Sequence, residues 1–199
     1  MSKKIVAIVG GYRKEGTIDT AVEAILSGAR ELGAATHIIY LPEQHIEFSP
    51  GPRTGWKGPG PVQDECLQRD DMEPLLKEIE AADAVVLGSP VNCGTTTPAF
   101  RQFEERLLGF GYRPCGRMTP RGRLKALPRK AVLVASSPMP GFLIPLFTGT
   151  MTALKTAAGM LHARPVGRMY IGRASGELHH ALSTRTLRRA RRLGMRLAA

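Results

Sequence analysis

A short apolar run and the turn behind it restrict this chain more than any other feature. Lys4-Ile5-Val6-Ala7-Ile8-Val9 is β-branched and unbroken, the pattern of a strand covered on both faces. Gly10-Gly11-Tyr12-Arg13-Lys14-Glu15-Gly16-Thr17 follows, and then Val22, Ile25, Leu26, Ala29 and Leu32 recur at helical spacing up to Gly33. The stretch reads as strand, glycine turn and helix, with Thr17 or Asp19 as the N-cap. Paired glycines let the backbone turn sharply and approach a ligand closely. A helix N-terminus carries unpaired N–H groups and the positive end of the dipole, so an anion can sit there, beside Arg13 and Lys14. Taken alone, the turn serves equally well as a tight connection. It lacks the glycine spacing of a dinucleotide fingerprint and the Lys-Ser/Thr end of a P-loop.

The rest of the chain tells which kind of protein surrounds that turn. At 199 residues, 43% hydrophobic and 23% charged, it can bury a core without staples. One domain over residues 1–199 is expected, with irregular stretches at about 42–70 and 109–130. The basic N-terminus precedes an apolar run too short for a signal peptide, and no run is long enough to span a bilayer, so a cytoplasmic protein is expected. Cys66, Cys93 and Cys115 form no C-x-x-C pair and no disulfide framework. Cys93 reads as a small buried hydrophobe rather than a redox thiol. No histidine has the spacing of a metal site. A net charge of +11 implies affinity for anions.

Further strands are expected at His37–Leu41, Ala84–Gly88, Ala131–Ala135 and Pro165–Gly172. Helices are expected from Asp70-Asp71, from about Pro98, over Thr148–Leu161 and from about Gly176 to the end. Trp56 and Phe48 would pin the first irregular stretch to the body. Phe142 to Phe147 reads as an apolar lip. In the last helix, Leu187, Leu193 and Leu197 face the core and Arg185, Arg188, Arg189, Arg192 and Arg196 face outward. Strand and helix alternate five times, which predicts an α/β fold with a doubly wound parallel sheet and right-handed crossovers. The flavodoxin-like order 2-1-3-4-5 suits this length. Ligands bind such sheets beyond the strand ends where the order reverses. The loops Gly10–Thr17, Ser89–Thr97 and Ser136–Gly141 would meet there.

Two of these loops carry a resemblance. Val9-Gly10-Gly11-Tyr12-Arg13-Lys14-Glu15-Gly16-Thr17 resembles the G-S-P-R-K-x-G-N-T loop of the NADPH-dependent FMN reductase and iron–sulfur flavoprotein family. Gly88-Ser89-Pro90-Val91-Asn92-Cys93-Gly94 resembles its G-S-P-V-Y-x-G loop, and Asp70-Asp71-Met72 its D-D-M. The resemblance implies a flavodoxin-like fold, noncovalent FMN, hydride transfer from NAD(P)H and a homodimer. It would put Gly10, Gly11, Arg13, Lys14, Gly16 and Thr17 on the FMN phosphate. Ser89, Pro90, Val91, Asn92, Cys93 and Gly94 would contact the ring, with Ser136, Ser137, Pro138 and Gly141 on its other side. Gly11 stands where the family has a phosphate-binding serine, Thr17-Ile18 replaces its Asn-Thr pair, and Asn92 replaces an aromatic. Of the set of cysteines that ligates a cluster in some members, the stretch between about Pro42 and Asp70 holds only Cys66, so no iron–sulfur cluster is expected.

The function expected from these residues is that of an FMN-dependent NAD(P)H oxidoreductase acting on a flavin or quinone, its chemistry carried by the cofactor and not by a side-chain acid or base. The alternative is a non-catalytic adaptor on the same fold, with a decayed flavin site and a basic surface for an anionic partner. Nucleic acid is the less favoured use of that surface, since no recognition motif or aromatic interleaving accompanies the arginines.

Overall fold

The computed structural model describes residues 2–49, 69–108, 111–112, 121–122, 129–174 and 182–199. Strands are β1 (Lys4–Val9), β2 (Ala35–Tyr40), β3 (Ala84–Pro90), β4 (Gly111–Tyr112), β5 (Arg121–Gly122), β6 (Arg129–Ser136) and β7 (Ala163–Ile171). Helices are α1 (Thr17–Arg30), α2 (Met72–Glu80), α3 (Pro98–Leu107), α4 (Ile144–Phe147), α5 (Thr150–Met160) and α6 (Thr184–Ala198). Five strands form one sheet in the order β2-β1-β3-β6-β7, and every neighbouring pair is parallel. Counted along the sheet this is the 2-1-3-4-5 order of the flavodoxin-like fold. The two-residue strands β4 and β5 pair with each other, antiparallel and outside that sheet.

The apolar strands are explained by what covers them. Side chains alternate across the pleat, so Ile5, Ala7 and Val9 face one layer while Val6 and Ile8 face the other. The first layer is α1 and α6, through Ile18, Val22, Ile25, Leu193 and Leu197. The second is α2, α3 and α5, through Met72, Ile79, Phe100, Phe103 and Leu154. α1 and α6 pack at backbone contact. A Cβ placed on Gly194 would lie 1.7 Å from the Ile25 carbonyl oxygen, and one on Gly28 would lie 2.1 Å from that of Arg191.

Several expectations shift. α1 ends at Arg30, and Leu32 is 56% exposed in the turn before Gly33, which sits at φ +80°. Glu31 still has helical angles (φ −59°, ψ −25°), but the Leu32 N–H donates three residues back, to the Ala29 carbonyl (3.0 Å), and this tightened last turn carries Leu32 off the apolar stripe. α6 starts at Thr184 because the Ser183 hydroxyl caps it, accepting from the Thr186 N–H (3.2 Å); Leu182 and Ser183 are not helical, and residues 175–181 lie outside the described set. Within α6, Leu193 and Leu197 are buried, whereas Leu187 is only partly so. The apolar lip contains a helical turn of its own, α4, separated from α5 by Thr148-Gly149. Phe48 is 73% exposed. Trp56, Cys66 and Cys115 lie outside the described residues.

Candidate functional site

Three loops leave the carboxyl ends of adjacent strands β1, β3 and β6, the first, third and fourth strands of the main sheet in chain order, and direct bonds tie these first, third and fourth loops together. Thr97 makes the first tie. Its hydroxyl donates to the Gly10 carbonyl (2.6 Å) and accepts from the Phe100 N–H (3.4 Å), so one buried side chain caps α3 and holds the first loop to the third. The Thr97 N–H in turn donates to Ser89 Oγ (3.2 Å), and the Ser89 hydroxyl donates to the Pro90 carbonyl (2.9 Å). Gly10 fits against this clamp only because it lacks a Cβ, which would lie 2.8 Å from the Phe100 Cβ and 2.9 Å from Thr97 Oγ1. The second tie runs from the Val91 N–H to the Ser136 carbonyl (2.7 Å) and joins the third loop to the fourth. Thr97 is a residue that motif reading left out of the site. Its signal was there, as a threonine directly before the proline that opens α3.

Within the third loop, Asn92 and Thr95 exchange both backbone hydrogen bonds (2.8 and 2.9 Å) around Cys93 and Gly94. Both central residues have positive φ, +47° and +79°, the signature of a type I′ turn. The turn puts Cys93 at an exposed tip, so it is not the buried hydrophobe that its composition suggests. The Gly94 carbonyl accepts from the Gly149 N–H (2.8 Å), which brings the start of α5 into the same neighbourhood. Thr96 and Thr150 each bury a hydroxyl without a hydrogen-bond partner among the described residues. Ser137 turns inward, its Oγ accepting from the Met139 N–H (3.3 Å), and Ser136 is buried as well. Pro138 is exposed. Ser89, Ser136 and Ser137 therefore shape the loops, and their hydroxyls do not line the mouth as solvent-facing groups.

The first loop is braced by a residue the sequence suggested for another task. Neither Thr17 nor Asp19 caps α1: Gly16 occupies the cap position (φ −73°, ψ 175°), and among the described residues no side chain accepts from the first turn. Asp19 instead reaches back to the Glu15 N–H (2.7 Å) and accepts the Tyr40 hydroxyl (2.6 Å). Burial, and then the bond to Asp19, push the Tyr40 phenol well above its ordinary range, so it stays a donor. Glu15 takes φ +62° in this arrangement. Arg13 and Lys14 are exposed at the loop. Lys14 pairs with Glu43 (2.6 Å) and stands 5.0 Å from the Tyr40 ring centre, so part of its charge is already answered.

An uncapped helix start, a glycine-lined turn and neighbouring loops at the reversal of strand order place the chain among doubly wound α/β proteins, whose ligands as a class sit at that end of the sheet. The chain belongs to the NADPH-dependent FMN reductase family, whose model matches residues 3–139. An iron–sulfur flavoprotein of Archaeoglobus fulgidus is 32% identical over 111 residues, covering 56% of this chain and 48% of that protein. The chain thus spans about half the length of the curated relatives it matches. Among solved structures, the fold is similar to an NAD(P)H:quinone oxidoreductase from Methanothermobacter marburgensis (TM-score 0.69, 17% identity, covering 99% of this chain and 100% of that one). It is also similar to an FMN-dependent NADH-azoreductase of Bacillus anthracis in complex with FMN (TM-score 0.70, 13% identity, covering 99% and 100%).

The residues present suit an FMN. A phosphate monoester asks for N–H donors, positive charge and room for close approach. Among the described residues no side chain accepts from the first turn of α1, and Thr17 and Arg13 stand beside it. A Cβ on Gly11 would make only ordinary contacts with Val9, Pro90 and Ile18, none nearer than 3.7 Å, so the position accepts a side chain without strain. At the third loop nothing lies within 4 Å of a Cβ on Gly94. Among the described residues no three His, Cys, Asp or Glu come together in a way that could hold a metal ion, and no helix is long and apolar enough to cross a membrane.

Proposed function

We propose that the chain binds FMN noncovalently and acts as an NAD(P)H-dependent oxidoreductase with a flavin or quinone as acceptor. The observation that carries this reading is the Thr97 clamp, which fixes the uncapped start of α1 beside the third loop where the strand order reverses. Bound FMN would supply the hydride chemistry. The chain supplies position. The backbone N–H groups of Gly11 and Thr17, with Arg13, Lys14 and the Thr17 hydroxyl, hold the phosphate, while the Glu15 and Gly16 N–H groups brace the loop through Asp19 and the Arg13 carbonyl. Pro90 to Gly94 present backbone and the rigid turn to one side of the ring, and Ser136 to Gly141 close the other. The reading needs no side-chain acid or base, and it takes the described residues as parts of one flavodoxin-like unit in the cytoplasm, without an iron–sulfur cluster. Phe142, Leu146 and Phe147, each at least 69% exposed beside the fourth loop, are the surface on which a homodimer would form.

Fluorescence titration of FMN with purified protein tests the reading. Quenching at micromolar protein, followed by NADPH oxidation that depends on FMN and on an added quinone, is the expected result. An absence of quenching would reject the enzyme and leave the non-catalytic adaptor.

A further inference from the structure

Charge is divided unevenly along this chain. Of its 17 acidic residues only Glu177 lies beyond Glu105, while most of its 28 basic residues do. The fold turns that division in sequence into one in space. Acidic groups such as Glu43, Glu73 and Glu78 lie towards the β2 edge, where lysines and a histidine answer them. The opposite edge is β7, with α6 packed over it, and neither element contains an acidic residue. Arg185, Arg188, Arg192 and Arg196 follow one another at three- and four-residue steps, so they form one exposed stripe about 16 Å long. Arg164 and Arg168 are exposed on β7, and the Arg189 guanidinium bonded to the Arg168 carbonyl (2.9 Å) links strand and helix into one surface. Within α6, Arg191 is answered by Glu31. The four stripe arginines have no ion pair among the described residues.

From this surface we infer that the α6–β7 edge docks the phosphodiester backbone of a nucleic acid, without reading its bases. Three observations favour that occupant. The apolar face of α6 (Ala190, Leu193, Gly194, Leu197) is committed to the core, and Gly194 lies at backbone contact with α1, so the helix cannot roll into a bilayer. No exposed large apolar residue among the described ones lies on α6 or β7, so the surface lacks the buried aromatic anchors of a protein interface. An uninterrupted row of guanidinium forks matches a regular row of phosphates, which a duplex presents at one per about 1.7 Å of axis. The same lack of aromatics leaves nothing on which bases could stack.

Fluorescence anisotropy with two labelled DNA duplexes of about 20 base pairs and unrelated sequence tests this between about 50 and 200 mM KCl. Both duplexes should bind equally, with an affinity that falls steeply with salt. Replacing Arg185, Arg188, Arg192 and Arg196 together by Gln should weaken binding at least tenfold and reduce the log–log salt slope by about three to four, leaving the melting temperature and FMN titration unchanged. Arg164→Gln with Arg168→Gln, on the strand, should weaken binding to a lesser degree and serves if the fourfold variant does not fold. Lys3→Gln with Lys77→Gln, at the other edge, should change nothing. No binding by the wild type, binding untouched by both arginine variants, or tighter binding to phosphatidylserine vesicles or polyglutamate than to DNA would each overturn the inference.

Discussion

Gly11 and Thr97 carry the site at the level of single residues, one by leaving room and the other by making bonds. Because a Cβ at Gly11 would meet only ordinary contacts, from 3.7 to 3.9 Å, Gly11→Ser should fold normally and add a hydroxyl donor to the loop. One net hydrogen bond is worth about 1 kcal/mol, so FMN should bind roughly fivefold tighter, read by fluorescence titration. Unchanged or weaker binding would mean that the phosphate lies elsewhere. Thr97→Val keeps the shape and removes the hydroxyl, leaving the Gly10 carbonyl unpaired and α3 uncapped. A loss of about 2 kcal/mol in urea unfolding is expected, together with weaker FMN binding. Cys93 shows why residue type alone misled. Free cysteines are usually buried, but this one occupies a turn position that demands positive φ, and turn geometry overrides the preference.

Two packing contacts decide how the elements are held. Asp70, just before α2, accepts from the Glu47 N–H (2.9 Å), the Met72 N–H (3.1 Å) and the Arg106 guanidinium; Arg106 also donates to the Glu47 carbonyl (3.0 Å). This buried pair joins the two flanks of segment 50–68 to α3. Burial alone would raise the Asp70 carboxyl, but Arg106 and the two N–H groups outweigh it and hold it below the ordinary carboxylate range. The folded protein therefore binds fewer protons here than the unfolded chain does. This contribution to stability is complete above about pH 4 and is lost as pH falls through the lowered folded value. Asp70→Asn should be less stable at neutral pH by about 3 kcal/mol, yet show a smaller drop in urea midpoint between about pH 5 and pH 2.5 than the wild type. An equal drop would contradict the assignment. At the α1–α6 crossing, Gly194→Ala must push the helices apart, since its Cβ would lie 1.7 Å from a carbonyl oxygen. A cost of about 1–3 kcal/mol in thermal or urea unfolding is expected. Apolar pattern revealed the five strands of the main sheet and most helices, because each must be buried, but not the two-residue strands β4 and β5 within the stretch expected to be irregular. It did not reveal the end of α1, the separate turn α4 or the start of α6. Those boundaries depend on single caps and local backbone angles such as Ser183 and Gly33, to which an apolar stripe is blind.

At the scale of the molecule, the sheet was the most legible feature, since unbroken runs such as Ala131–Ala135 suit only strands covered on both faces. The loops that meet at its reversal point were legible too, through Gly10-Gly11 and Ser89-Pro90-Val91. The bonds joining them were not, because a tie such as Thr97 to Gly10 spans 87 residues and leaves no trace in local pattern. The unequal distribution of charge between the β2 and β7 edges likewise needed the strand order before it became a surface. The account rests on a phosphate held by the first turn of α1, and comparing FMN with riboflavin isolates that contact, because the two differ only in the phosphate. Equilibrium titration of both flavins should show FMN binding at least tenfold tighter, with the gap narrowing as salt rises. Equal affinity for the two flavins, or riboflavin binding more tightly, would contradict it.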